Sequence, residues 1–173
     1  LEVNNCEVVP IVAKTGDELM SFELDDVDGV FFCNPNNPLG YTIPVQDIKR
    51  LLDSTKKPVV IDEAYADYAP EISAVDLVRQ YENLIIIRTF SKFFGLAGLR
   101  LGYCLSQKEN IQELLKLRKE ADINAAAISY GEYILENLEK AEEVADEMKM
   151  NKKAIHELGL HIGWRAWAGE GNF

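Results

Sequence analysis

The sequence has few basic residues and few histidines, and both shortages exclude classes of function. Its 18 lysines and arginines are outnumbered by 29 aspartates and glutamates, so the formal net charge of the 173 residues is −11. A chain of this sign is not expected to bind nucleic acid or anionic membranes through general electrostatics. The two histidines, His156 and His161, lie far from every polar motif and are interpreted as structural or surface residues.

Cysteines are also scarce, and long apolar runs are lacking. Cys6, Cys33 and Cys104 are odd in number and far apart, which favours reduced thiols of a cytoplasmic protein over a disulfide framework or a metal site. No run is long enough for a membrane span, and no secretory signal is visible. No predicted strand is followed by G-x-G-x-x-G, which disfavours a nicotinamide-binding domain.

Short apolar runs alternate with stretches of helical periodicity over the first two thirds of the chain. Five runs predict β-strands, at 6–14, 29–34, 57–65, 83–90 and 99–106. Helices are predicted between them over 44–54 and 76–82, and the turn "NPNNPLG" (34–40) ends the second strand. This alternation is typical of the α/β class with a mostly parallel sheet.

The pattern becomes helical from about residue 109. An amphipathic helix is predicted over 109–121, and Asn124 is suited to cap a long helix that runs to Gly159, with Gly131 as a point where it can kink. Residues 160–167 are expected to form a strand. The predicted organisation is therefore a large domain, a linking helix and the start of a small α+β domain, over 1–123, 124–159 and 160–173 respectively.

Three polar residues follow three of the predicted strands. Asn37 follows 29–34, Asp62 ends an apolar run, and Lys92 follows 83–90. Because ligands of open α/β sheets bind beyond the carboxyl ends of the strands, we expect these residues to share one edge. Each also has a purely structural interpretation, as a turn former, a helix cap or a solvated amine.

The segment around Lys92 carries groups that suit a phosphate. Thr89 and Ser91 precede the lysine, Arg100 follows it, and glycines between them allow a close approach of the backbone. Together with a buried acid, these groups fit a phosphorylated ring cofactor that forms a Schiff base with lysine.

Three segments also carry a family resemblance. "NPNNPLG", "VVIDEAYADYA" and "RTFSKFFGLAGLRLGY" resemble, in order and spacing, the signatures of class I/II (fold type I) pyridoxal-phosphate aminotransferases, and most of all the histidinol-phosphate aminotransferases. The resemblance is close over roughly residues 1–120. It implies a three-layer sandwich, a homodimer, a cytoplasmic location, and pyridoxal 5′-phosphate as cofactor. It also implies small-molecule partners, an amino donor such as glutamate and a keto acceptor.

The resemblance implies catalytic roles for three residues. Lys92 would hold the cofactor and then act as the general base, for which its amine must be neutral. Asp62 would keep the pyridine nitrogen protonated, so that the ring withdraws electrons. Tyr65 would donate a hydrogen bond to the phenolic oxygen of the ring.

It likewise implies the remaining cofactor contacts. Asn37 would donate a second hydrogen bond to the phenolic oxygen, and Ala64 would pack flat under the ring. The phosphate would be held by two hydroxyls and a guanidinium, those of Thr89, Ser91 and Arg100.

The sequence departs from the family in two places. Leu39 stands where a threonine is usual, and the segment "RKEADIN" (118–124) lacks the Arg-Pro-aromatic-Asn pattern found near the substrate, which leaves narrow specificity open. Upstream and downstream family elements are also missing, and the first residue is Leu1. We therefore expect a fragment that is inactive and self-associating on its own.

Two other functions fit the same motifs. One is a pyridoxal-phosphate decarboxylase or lyase of the same fold, similar to threonine-phosphate decarboxylases, since residues outside this chain decide which bond breaks. The other is a non-catalytic, aminotransferase-like regulatory domain, which a helix-turn-helix segment upstream would reveal.

Overall fold

A computed structural model describes residues 6–117, 123–165 and 169–172. Within them the chain forms four β-strands and five α-helices, with short 3₁₀ helices before β3 and β4. In chain order the elements are α1 (Gly16–Met20), β1 (Val30–Cys33), α2 (Val45–Ser54), β2 (Val59–Asp62), β3 (Leu84–Thr89), β4 (Gly102–Leu105), α3 (Lys108–Leu115), α4 (Ala125–Glu136) and α5 (Leu138–His161). No helix among these is both long and apolar enough to cross a membrane.

The strands form one sheet in the order β1-β2-β3-β4. The first three strands are parallel, and β4 runs antiparallel to β3. The predicted α/β class with a mostly parallel sheet is therefore confirmed. Because β1, β2 and β3 point the same way, the loops that follow them leave the sheet at a single edge.

The two faces of the sheet differ in burial. Successive side chains of a strand point to opposite faces. Four side chains of one face, Val59, Ile61, Leu84 and Ile86, are fully buried together with Ile48, Leu51 and Leu52 of α2. On the opposite face Phe31 is 56% exposed and Ile87 is 37% exposed. We call these the covered face and the open face.

The strand predicted over 6–14 is absent from residues 6–14, which have no regular structure. Val9 and Val12 are exposed there, and Pro10 cannot donate a backbone hydrogen bond. An apolar run forms a strand only where a neighbouring strand pairs with it, and none does so among the described residues. The helix predicted over 76–82 is instead a 3₁₀ helix, Val75–Arg79.

The single helix predicted over 124–159 is two helices in the structure. Asn124 caps the first as predicted, since its side chain accepts a hydrogen bond from the N–H of Ala127 at 2.8 Å. The break falls at Asn137 and not at Gly131. Gly131 lies inside α4, where a Cβ would come within 2.7 Å of Leu101, so its small size serves packing.

The end of the chain also differs from the prediction. Helix α5 continues past Gly159 to His161. Residues 162–165 contain no strand, so the strand predicted over 160–167 is wrong for its described part, while 166–168 lie outside the described residues. The three domain boundaries stay predictions, and the last residues of the helix predicted over 109–121 also lie outside the described range.

Candidate active site

The loops after β1, β2 and β3 meet at one phenol ring. The side-chain amide of Asn37 donates a hydrogen bond to the Tyr65 hydroxyl at 3.0 Å. The Lys92 Nζ lies 5.2 Å from the centroid of the Tyr65 ring. Three residues from three different strand ends therefore form one contact group, and two of them, Asn37 and Lys92, are among the three residues predicted to share this edge.

Asp62 ends β2 on the open face. It follows Ile61, which points into the covered core, and pairs in register with Cys33 and Ile87 of the flanking strands. Its carboxylate accepts a hydrogen bond from the N–H of Ala64 at 2.9 Å. Burial, and secondly the charge of Asp62, raise the pKa of the Cys33 thiol. The carboxylate is thus oriented by the backbone and acts electrostatically on its open-face neighbour.

Ala64 lies in the loop between Asp62 and Tyr65 and packs near the tyrosine. It packs, partly buried, against the cluster of Tyr65, Tyr68 and Ala145. The Tyr68 ring makes an edge contact with the ring of Phe93, with 5.4 Å between the centroids. Phe93 directly follows Lys92 in the chain. Helix α5 and the loop after β2 therefore jointly support the lysine segment.

The predicted phosphate ligands line an open groove of about 590 Å³ on the same face. Thr89, Ser91 and Arg100 contribute to it, together with Ile87 and its partner across the strands, Cys104. The Thr89 hydroxyl accepts a hydrogen bond from the Ser91 N–H at 3.1 Å. This bond turns the chain sharply after β3, so that both hydroxyls stay at the sheet edge.

Arg100 has an unusual backbone conformation. Its φ is +55°, the left-handed region, which costs a residue with a side chain about 1 kcal/mol or more. Its exposed guanidinium donates a hydrogen bond to the Ala97 carbonyl at 3.2 Å. Such a strained, exposed arginine beside a groove marks a candidate binding residue, because strain of this kind clusters at functional sites.

The predicted residues thus form two adjoining groups joined by the lysine segment. The groove is lined by Thr89, Ser91 and Arg100, whereas Asn37, Tyr65 and Lys92 meet one another and are not among its lining residues. Asp62 lies on the open face, in register with the groove-lining Ile87. A carboxylate, an amine, a phenol–amide pair, two hydroxyls and a guanidinium match the functional groups of pyridoxal phosphate. The donor set therefore fits this cofactor.

Asn34 anchors the loop that carries Asn37. It is fully buried, accepts a hydrogen bond from the N–H of Ile43 at 2.8 Å, and donates one to the Ile43 carbonyl at 3.0 Å. The side-chain amide of Asn34 thus pairs with both backbone groups of Ile43, as a backbone amide of a neighbouring strand would, and closes the loop from 34 to 43.

We expect Asn34→Ala to lower the free energy of unfolding by about 1–3 kcal/mol or more, because it leaves buried backbone groups of Ile43 unpaired. Urea unfolding of the complete gene product is the measurement. Asn36→Ala is the matched control, since the hydrogen bonds described for Asn36 come from its main chain. Equal stability of the two variants would contradict an anchoring role.

Sequence reasoning missed a buried charged cluster beneath the site. Arg88 lies inside β3 and Glu63 directly follows Asp62, and both side chains are buried. The signal was present as an arginine within the apolar run "LIIIRT", which cannot be buried without a partner.

Comparison with known families agrees with the fold and the donor set. A sequence model of the family "Aminotransferase class I and II" matches residues 15–161. The chain therefore belongs to the class I and II aminotransferases, and the predicted family is confirmed. The predicted cofactor, pyridoxal phosphate, is the cofactor of this family.

The curated relatives described here are both histidinol-phosphate aminotransferases. A histidinol-phosphate aminotransferase of Vibrio campbellii is 50% identical over 115 residues, covering 64% of this chain and 33% of the relative. Histidinol-phosphate aminotransferase 1 of Trichormus variabilis is 34% identical and covers 99% of this chain and 49% of the relative. The chain spans one third to one half of the length of these relatives.

Solved structures share the fold. Histidinol-phosphate aminotransferase of Sinorhizobium meliloti, in complex with pyridoxal-5′-phosphate, matches with a TM-score of 0.84 at 23% identity, over 95% of this chain and 47% of that one. A decarboxylase of Sulfurospirillum multivorans matches with a TM-score of 0.65 at 31% identity, over 80% of this chain and 44% of that one. Two reaction types therefore occur among proteins of similar fold.

Proposed function

We propose that the gene product containing this chain is a pyridoxal-phosphate-dependent aminotransferase. It transfers an amino group between glutamate or 2-oxoglutarate and an amino acid or amino-alcohol phosphate, with histidinol phosphate as the leading substrate. The observation that carries the proposal is the meeting of Asn37, Tyr65 and Lys92 beside a groove lined by Thr89, Ser91 and Arg100. Relatives named histidinol-phosphate aminotransferase support the substrate.

Lys92 is the reactive residue of this arrangement. Its amine would hold the cofactor and, when free, would take the proton from the substrate Cα. When bound, pyridoxal phosphate supplies an electron-withdrawing ring that stabilises the negative charge left on Cα.

The other residues orient the ring and hold it. The Asp62 carboxylate, which accepts a hydrogen bond from the Ala64 N–H, would pair with the ring nitrogen and keep it protonated. Asn37 and Tyr65, which share a hydrogen bond in this structure, would donate hydrogen bonds to the phenolic oxygen of the ring. Thr89, Ser91 and Arg100 would hold the phosphate with two hydroxyls and a guanidinium. Ala64 offers a small surface on which the ring can lie.

A decarboxylase of the same fold is the second candidate. It is favoured by the similarity to the decarboxylase of Sulfurospirillum multivorans, at 31% identity. The residues described here bind and polarise the cofactor in the same way for either reaction. Protein residues that orient the substrate select the bond to be broken, and these residues decide between transamination and decarboxylation.

We expect the complete gene product to convert 2-oxoglutarate to glutamate when histidinol phosphate is the amino donor. The assay follows glutamate formation across a panel of phosphorylated and aromatic amino donors, with Lys92→Ala as the blank. Release of carbon dioxide from an amino acid, without glutamate formation, would favour the decarboxylase instead. A homodimeric state and a cytoplasmic location stay predictions from the family resemblance.

A further inference from the structure

A buried ionic cluster lies on the covered face, directly behind the candidate active site. Arg88 is 9% exposed and Glu63 is fully buried. The guanidinium contacts the Glu63 carboxylate through Nε at 3.0 Å and Nη2 at 2.8 Å. It also donates to Asp67 at 2.6 Å and to the Ser73 hydroxyl at 2.8 Å. These four residues are called the Arg88 cluster below.

The acceptors of the cluster are saturated as well. The second oxygen of Glu63 accepts from the N–H of Ala74 at 2.6 Å, and the Ser73 hydroxyl donates to the first at 2.8 Å. Within the described part of the chain, no buried side-chain nitrogen or oxygen lacks a partner. A fully satisfied polar network of this kind rigidifies its surroundings and specifies a single arrangement.

Stability alone does not explain such a cluster. Desolvation offsets most of the attraction within a buried ion pair, and apolar residues of similar volume often stabilise a core as well or better. What a buried network adds over an apolar core is directionality, because a forked guanidinium accepts its partners in one geometry. The question is therefore which arrangement this geometry selects.

Strand alternation connects the Arg88 cluster to the site. Glu63 directly follows Asp62, and Arg88 directly precedes Thr89, so each half of the ion pair is bonded to a candidate cofactor ligand on the other face. The Glu63 N–H also donates to the Ile87 carbonyl at 2.9 Å, the last backbone bond between these segments. Through its bond to Asp67, Arg88 also contacts the 3₁₀ helix that follows Tyr65.

We propose that the Arg88 cluster is a positioning device for the cofactor site. It fixes the segment that carries Asp62 and Tyr65 against the segment that carries Thr89 and Lys92, from behind the sheet. Arg88, Glu63 and Asp67 are thus positioning residues that set the separation of the Lys92 amine and the Tyr65 ring. The inference rests on the proposed function, because the cofactor gives that separation its purpose.

Two conservative variants of the complete gene product test the proposal. Arg88→Lys keeps a cation beside Glu63 but cannot reach Asp67 and Ser73 at the same time. Asp67→Asn keeps the shape of the side chain and removes only the charge at the edge of the cluster. Arg50→Lys is the matched control, since Arg50 pairs with Asp17 and Asp47 on the surface with half of its side chain exposed.

The readouts are the dissociation constant of pyridoxal phosphate, the pH midpoint of the absorbance of the lysine-bound cofactor, and urea unfolding of the cofactor-free protein. A displacement of about 1 Å costs on the order of 10²-fold where geometry is critical, so we expect roughly tenfold or greater loss of cofactor affinity in both cluster variants. The pH midpoint shifts with it, because the surroundings of the Lys92 nitrogen change. The Arg50→Lys variant keeps wild-type values.

Each outcome decides the proposal. Variants that lose stability but bind pyridoxal phosphate with wild-type affinity and pH midpoint would show that the cluster is structural only. If Arg88→Lys does not fold, the Asp67→Asn variant decides alone. Failure of the wild-type gene product to bind pyridoxal phosphate would overturn the proposed function and this inference with it, whereas normal binding by both variants overturns the inference alone.

Discussion

Lys92→Ala in the complete gene product is expected to abolish covalent attachment of pyridoxal phosphate and to lower amino transfer by about 10²–10⁴-fold or more. The side chain is half-buried and lies beside the Tyr65 ring, so another lysine cannot take its place without moving a strand end. This range is the loss expected from a general base alone, and the loss of the attachment point adds to it.

Borohydride reduction followed by peptide mass mapping measures the attachment. We expect the wild-type protein to carry the reduced cofactor on the peptide containing Lys92, and the variant to carry none. Lys56→Ala is the control, because Lys56 is an exposed lysine at the opposite end of the sheet, before β2 begins. A label on any other lysine, or an unchanged yield in Lys92→Ala, would contradict the assignment.

The parts of the fold that were predictable are those fixed by local sequence. The strands β1, β2 and β3 lie within the runs predicted over 29–34, 57–65 and 83–90, since prolines, asparagines and glycines bound each run. The placement of polar residues at one edge then follows from the parallel order of the strands. This is why Asn37, Asp62 and Lys92 could be expected at one edge, whereas a place for Tyr65 in the site was implied only by the family resemblance.

What could not be predicted depends on partners distant in the chain. The run 6–14 has a strand-like composition, but no described strand pairs with it. The helix break at Asn137 was misplaced at Gly131, because the packing of Gly131 against Leu101 is a tertiary contact. The bond between Glu63 and Arg88 joins residues 25 positions apart. An arginine inside an apolar run signals that a buried partner is needed, but nothing local identifies Glu63 as that partner.

A substitution of Asp62, at the end of β2, can distinguish the role of its charge from the role of its hydrogen bond. A substitution of Lys92 cannot make this distinction. Asp62→Asn retains an oxygen for the Ala64 N–H but removes the negative charge. We expect the fold to survive, because the described hydrogen bond is preserved. We expect amino transfer to fall by about 10²-fold or more, because a neutral amide cannot keep the ring nitrogen of the cofactor protonated and a preorganised electrostatic contact is lost.

The same substitution has a second readout that does not require the cofactor. The charge of Asp62 contributes to the raised pKa of the Cys33 thiol, after burial. Removing that charge lowers this pKa, so more thiolate is present at a given pH and alkylation of Cys33 becomes faster. Asp53→Asn, at a surface carboxylate that accepts from the Tyr81 hydroxyl, is the control and should change neither readout.

The two readouts together assign the role of Asp62. Faster alkylation of Cys33 with a steep loss of amino transfer means that the carboxylate acts through its charge on the open face. Faster alkylation with near-normal turnover would show that the charge is present but is not used by the cofactor, so that Asp62 only orients the backbone at Ala64. Unchanged alkylation would place the carboxylate away from Cys33, contrary to the strand register that pairs these two residues.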